Sequence, residues 1–338
     1  MKDFFILKGE KMKRTILTLC LILALVACQK APANDKKEEA VQENTKTSQE
    51  GTSPKIGIIQ FIDQISLDAV REGFEKEIKS KYPEAEILVQ NAQGEAGNVP
   101  QITQKMVQEK VDVIFAIATP AAQGALTTKG DTPLVFAAVT DPKGAGLEGK
   151  CTGVTDEVDP GQQIDQYLKL FPDIKTIGTL YNTGEQNSRV QVERLEKACT
   201  EKDLKLEAMG INNINDIPQA MTILSKKIDG YFALSDNYVA SGAPLLVKSL
   251  NESQLPSFSS EEGQAKKGLL MASGVDYLES GKQAAGLVDK LLQGSKIEDL
   301  PIEKPATMHT VFNQKPASML KLSKDQYPQG DNVVFINE

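Results

Sequence analysis

The side chains best placed for chemistry follow short apolar runs. Three of them are acids, Asp141, Glu185 and Asp236, and a carboxylate just past a strand can hold a cation, act as an acid or base, or cap the next helix. Thr119-Pro120 has the opposite character. A hydroxyl followed by Pro marks a helix start, whose free N–H groups and positive end suit an anion; Thr119 also serves there as the cap of its own helix. Gln60, Thr140, Asn182, Asn187, Ser188 and Asn237 lie in or beside the same segments and supply neutral hydrogen bonding. Phe61 and Tyr181 offer aromatic surface either to a bound molecule or to the space between sheet and helix. Structural uses compete with the binding ones. Asp141 before Pro142 reads as a turn residue, Asp236-Asn237 as a helix cap, and Ser188 with Gln191 behind it as an N-cap.

This inventory argues against catalysis. The single His, His309, is far in sequence from every one of these segments, and no His or Cys constellation could make a nucleophile or a metal site. Neither an enzyme activity, a cofactor nor a metal is expected. A Glu or Asp pair can act as acid and base, but the acids here suit a cation better. A net charge of −8 and only four Arg (Arg14, Arg71, Arg189, Arg194) exclude a nucleic-acid partner, which needs clustered cations. With only Arg189 at the edge of the segments, phosphate and sulfate are disfavoured, and the absence of Trp removes the platform common in sugar sites, although Phe and Tyr could substitute.

The elements that position these residues show in the hydrophobic pattern. Lys55 to Gln60, Glu86 to Gln90, Val111 to Ala118 and Leu134 to Ala138 read as strands. Between them, Leu67, Val70, Phe74 and Ile78 share one helical face, as do Ile102, Met106 and Val107. After Asp159-Pro160, an N-cap with Gln162 placed for a capping box, strands recur at Thr176 to Leu180, Lys205 to Met209, Gly230 to Leu234, Leu255 to Ser259 and Leu269 to Ser273. The class is α/β, with two parallel sheets whose carboxyl-end loops face each other across a hinge.

The amino-terminal end is a separate matter. Lys11, Lys13 and Arg14, an apolar run from Ile16 to Val26 and then Leu25-Val26-Ala27-Cys28 form a signal peptide closed by a lipobox, with Cys28 the site of lipid attachment over 1–28. Met12 begins a more conventional signal than Met1. Residues 29–53 are polar and charged and read as a disordered tether to the outer face of a membrane. Cys20 leaves with the signal; Cys151 and Cys199 read as small buried hydrophobes, a single bridge between them being the other reading.

Several strings together carry a family resemblance. Gln60-Phe61-Ile62, Ala118-Thr119-Pro120-Ala121-Ala122-Gln123, Phe136-Ala137-Ala138-Val139-Thr140-Asp141-Pro142, Thr152-Gly153-Val154-Thr155-Asp156, Leu180 to Ser188 and Ser235-Asp236-Asn237 resemble the substrate-binding lipoproteins of tryptophan/tyrosine ABC importers. The likeness runs from Pro54 onward. It implies the fold of type I periplasmic binding proteins, two Rossmann-like lobes joined by a three-crossover hinge, here 54–157 plus 276–298 and 158–275 plus 299–338. It also implies a monomer that captures an amino acid, with an aromatic one expected first, and delivers it to a permease driven by an ATPase. Such a ligand needs an anion site, a cation site and an enclosure for its side chain, the roles the groups above could fill. A branched-chain amino acid or another small apolar metabolite is the alternative ligand, and a sensory lipoprotein using the same clamp the alternative role. Where relatives often carry His and Pro after the first-strand Phe, this chain has Asp63-Gln64-Ile65-Ser66.

Overall fold

A computed structural model describes residues 53–337; the signal peptide, Cys28 and all but the last residue of the tether lie outside the described residues. The chain proceeds through β1 (Lys55–Gln60), α1 (Ile65–Lys81), β2 (Glu86–Asn91), α2 (Val99–Gln108), β3 (Val113–Ile117), α3 (Thr119–Thr128), β4 (Leu134–Val139) and β5 (Thr152–Thr155). These strands form one parallel sheet in the order β2-β1-β3-β4-β5. Every residue of β3 and β4 is buried, which requires cover on both faces, so their continuous apolar runs are a consequence of position. On one face the predicted stripe of α1 (Leu67, Val70, Phe74, Ile78) is buried, and Phe74 stacks on Phe115 of β3 with ring centroids 4.0 Å apart.

The second series comprises α4 (Pro160–Leu170), β6 (Thr176–Asn182), α5 (Gln186–Glu201), β7 (Lys205–Ile211), α6 (Ile217–Leu224) and β8 (Gly230–Ala233). It continues with α7 (Asn237–Ser241), α8 (Ala243–Ser253), β9 (Ser257–Ser259), α9 (Glu262–Lys266) and β10 (Met271–Val275). The chain then crosses back. Helix α10 (Tyr277–Leu292) packs on α1 of the first series, and β11 (Met308–Asn313), α11 (Gln314–Met319) and β12 (Val333–Ile336) return to the second. The α1–α10 crossing depends on a glycine from each helix. A Cβ on Gly73 or Gly281 would stand 2.0 Å from the carbonyl oxygen of Leu278 or Val70, so no larger residue fits without separating the helices. Lys81 and Tyr82 both hydrogen-bond Asp289 at the far end of the same crossing.

The second sheet runs β12-β11-β10-β9-β8-β6-β7 and corrects the expectation of purely parallel strands. β11 pairs antiparallel with β10, Met308 lying opposite Val275. The reason is topological: the chain returns from α10 at the carboxyl end of β10 and has to run back along it. Two cap assignments also change. Asp159 accepts from the Gly161 N–H, but no capping box with Gln162 forms, and α5 begins at Gln186, which puts Ser188 inside the helix. Cys151 and Cys199 are buried and unpaired in separate core clusters, and burial pushes both thiols up to about 11.

Candidate functional site: the cleft between the sheets

In an open α/β sheet the strand order reverses at one point, where the loops at the carboxyl ends diverge and leave a crevice. In the first sheet that point lies between β1 and β3, and in the second between β6 and β8. The loops that leave these four strands carry Gln60 to Ile62, Ala118 to Pro120, Thr183 to Asn187 and Leu234 to Asn237. The chain brings the two crevices together. Tyr238 Oη donates to the Gly94 carbonyl (3.1 Å), Ser241 Oγ to that of Asp63 (3.3 Å) and Gln186 Nε2 to Asp141 Oδ2 (3.3 Å), while the Gly263 N–H donates to Ser66 Oγ (3.2 Å).

The first-sheet wall is made largely of backbone. Ala118, rather than Thr119, is the N-cap of α3, at φ 85° and ψ 154°. An L-residue rarely adopts that conformation, which costs about 1–3 kcal/mol and is typical of sites where geometry matters more than stability. Its effect is to turn Thr119 inward as the first helical residue. The Thr119 hydroxyl is buried and has no hydrogen-bond partner, and Pro120 beside it has no N–H to compete. Gln60 is occupied internally, donating to the Ile62 carbonyl and to Asp68 (2.8 Å), and Phe61 belongs to the first core cluster. Asp141 is half-buried and closes a turn onto the Gly144 N–H (3.0 Å) besides meeting Gln186. Thr140 Oγ1 donates to Asp156 (2.8 Å), whose other oxygen accepts from Tyr277 Oη (3.3 Å).

The second-sheet wall is made of side chains. Glu185 is buried and accepts from three amides, Asn182 Nδ2 (3.0 Å), Asn187 Nδ2 (3.2 Å) and Asn237 Nδ2 (2.5 Å). Asp236 is completely buried. One of its oxygens accepts from the Asn182 N–H and Ser188 Oγ, both at 2.6 Å, and the other from the Val239 N–H (2.9 Å) as the cap of α7. Burial, followed by the charge of Asp236, pushes the Glu185 carboxyl up to about 8, and burial likewise raises Asp236. Tyr181 is half-buried against the second core cluster beside Gly210 of β7.

Three groups outside the candidate contacts named from the sequence belong to the same place. Asp156, Glu261 and Tyr277 are buried, and Glu261 feels the charges of both Asp156 and Asp236. Burial pushes Glu261 up to about 8 and raises Asp156. A signal was available for Glu261: like Glu185 and Asp236 it is an acid just beyond a strand, but β9 is only three residues long. The arrangement thus opposes a helix start with an unused hydroxyl to buried carboxylates. Among the described residues no basic side chain pairs with Asp156, Glu185, Asp236 or Glu261; Arg194, whose charge reaches Asp156, pairs with Glu157 (3.0 Å).

The sequence profile of ABC transporter substrate-binding proteins matches residues 55–326. The chain belongs to this family. A tyrosine-binding protein of Clostridioides difficile (strain R20291) is 32% identical over 308 residues, which cover 88% of each chain. Among solved structures, an ABC domain in complex with L-Trp from Streptococcus pneumonia is 30% identical with a TM-score of 0.79, covering 84% of this chain and all of that one. The ligand-free, open structure of a substrate-binding protein with adhesive properties from Clostridium difficile is 32% identical, covers 84% of this chain and 99% of that one, and has a TM-score of 0.65. At similar identity, this ABC substrate-binding protein is therefore nearer in shape to the L-Trp complex than to the open form, in keeping with its four hydrogen bonds across the cleft. Solute-binding proteins with bound myo-inositol or allitol, 16% and 18% identical, share its fold.

Proposed function

We propose that this protein captures an aromatic amino acid between its two sheets and delivers it unaltered to a membrane permease and its ATPase, with no catalytic step of its own. The observation that carries the reading is the pairing of opposites across the cleft. An amino acid is a zwitterion, and its carboxylate suits the α3 start and the Thr119 hydroxyl, while its ammonium suits a wall of carboxylates that no basic side chain among the described residues pairs with. The relatives named for tyrosine and found with L-Trp support an aromatic side chain. We take 54–157 plus 276–298 and 158–275 plus 299–338 as the lobes of a clamp with three crossovers, supported by the packing of α10 on α1 and the return of β11 and β12 to the second sheet. Loading closes the lobes, and the permease reads the closed form. Delivery from the extracytoplasmic face, with the protein held there as a monomer by a lipid on Cys28, completes the reading. Radiolabelled palmitate incorporated by the full chain but not by Cys28→Ser tests the anchor.

The direct test is calorimetric titration of the folded body with each of the twenty amino acids. Tyrosine, tryptophan or phenylalanine is expected to bind in the high nanomolar to micromolar range, about 8 to 10 kcal/mol. Binding of none of the three removes the proposal, and preference for leucine or isoleucine redirects it to a branched-chain ligand.

A further inference from the structure

The four buried carboxylates of the cleft differ in what their oxygens do. Both oxygens of Asp236 are occupied, by the Asn182 N–H and Ser188 Oγ on one side and the Val239 N–H on the other. Both oxygens of Glu185 accept from Asn amides. Those of Asp156 accept from Thr140 and Tyr277. Glu261 alone is incomplete. It is 2% exposed, and among the described residues its Oε1 has no hydrogen-bond partner. Ionised, that oxygen lacks a donor; protonated, it lacks an acceptor. A buried carboxylate oxygen left so is expensive, because desolvation is not offset by any bond from the described residues.

Its position suits a ligand contact. Glu261 follows β9 at the carboxyl edge of the second sheet and is the N-cap residue of α9, whose Gly263 meets Ser66 in the first turn of α1 on the other side of the cleft. Ser66 Oγ accepts from the Gly263 N–H (3.2 Å), so the α9 start and the α1 start are tied together two residues from Glu261. The carboxylate is thus buried beside a contact that joins the two sides of the cleft. A compact ammonium with three N–H donors supplies what Oε1 lacks and cancels repulsion from Asp156 and Asp236.

We propose that Glu261, rather than Glu185 or Asp236, receives the ammonium group of the bound amino acid, and that Glu185 and Asp236 instead hold the second-sheet loops in shape. This inference rests on the amino-acid reading above. Glu261 acts as the discriminating residue, since a ligand without an amino group would leave its carboxylate buried and unmatched.

The test compares L-tyrosine with 3-(4-hydroxyphenyl)propionate, the same molecule without its amino group, by calorimetric titration. The unaltered protein is expected to prefer L-tyrosine by at least about 100-fold, because a site built for a polar group rejects the analogue that lacks it. Glu261→Gln is expected to reduce that preference to less than about tenfold. Glu185→Gln, which disturbs the amide network, should weaken both ligands by a similar factor. Undiminished preference in Glu261→Gln, or loss of preference in Glu185→Gln alone, overturns the assignment and leaves the amino-acid reading standing. Failure of the unaltered protein to bind any amino acid overturns both. If Glu261→Gln does not fold by circular dichroism, Glu261→Asp carries the test: a carboxylate withdrawn by one methylene should lose preference at least about tenfold, and an unchanged ratio overturns the proposal.

Discussion

The two walls of the cleft solve the problem of polarity by different means. On the first sheet the receptive feature is a helix start, produced by a strained Ala118 and a Thr119 hydroxyl with no partner, with a few side chains in support. On the second it is a network in which Asn182, Asn187, Asn237 and Ser188 hold Glu185 and Asp236. A backbone site has a fixed direction and tolerates changes in neighbouring side chains, whereas a network fails as a unit when one member is removed. The comparison teaches that acids alike in burial differ in the use the protein already makes of their oxygens: those of Asp236 and Glu185 are engaged, while Oε1 of Glu261 is not.

The harshest challenge to this contrast is Asp236→Ala. It leaves the Asn182 N–H, Ser188 Oγ and Val239 N–H without their acceptor, and should destabilise the second lobe by about 3–5 kcal/mol. Urea unfolding would measure the loss, and a drop smaller than about 1 kcal/mol would show that the network does not hold the wall.

A pH series separates the walls next, because the raised groups are carboxylates concentrated on one side. Glu185 and Glu261 are pushed up to about 8 from an ordinary 4.5. An acid whose pKa is higher in the folded closed state than in the unfolded chain binds more protons when folded. The stability it contributes is full below 4.5 and is lost as the pH rises through about 8. His309, raised chiefly by its hydrogen bond to Glu262, trends the same way above 6.5. The melting temperature of the ligand-free protein should fall by several degrees between pH 5.5 and 8.5, roughly 2–4 °C per kcal/mol, and saturating tyrosine should flatten the slope. A flat profile without ligand contradicts the burial of these acids.

Thr119→Val probes the first wall. Replacing an unpartnered buried hydroxyl with a methyl should leave stability unchanged or raise it by up to about 1 kcal/mol, and should weaken tyrosine binding by about 0.5–1.5 kcal/mol. Parallel losses of stability and affinity would mean that the hydroxyl serves the fold instead. The smallest effect is expected from Ala118→Gly. Relief of strain against greater chain entropy should give a gain of about 1 kcal/mol or less in thermal unfolding.

Much of this arrangement was legible in the sequence, and the omissions have identifiable causes. Strands β1, β3 and β4 could be read because a doubly covered parallel strand is apolar throughout. β5, Thr-Gly-Val-Thr, could not: it is buried, but its polar groups are matched by neighbours that no pattern shows, among them Thr152 Oγ1 donating to the Pro301 carbonyl. β11 and β12 follow a long crossover, and their pairing depends on where the chain re-enters the sheet. The acids past the strands were recognisable as a class. Their division of labour was not, since it depends on which N–H each oxygen meets after folding, as the neighbours Asp236 and Asn237 illustrate.

The glycine crossing of α1 and α10 bears on how the chain is made. Lys81 and Asp289, bonded at one end of that crossing, are 208 positions apart. A chain emerging from its amino end first therefore leaves the part of the first sheet under α10 uncovered until those 208 positions have followed, and only then can the late helix seal it. Such delayed sealing is where contacts between distant positions slow maturation and invite self-association. Anything that shields the early half until α10 arrives should therefore raise the yield of folded protein.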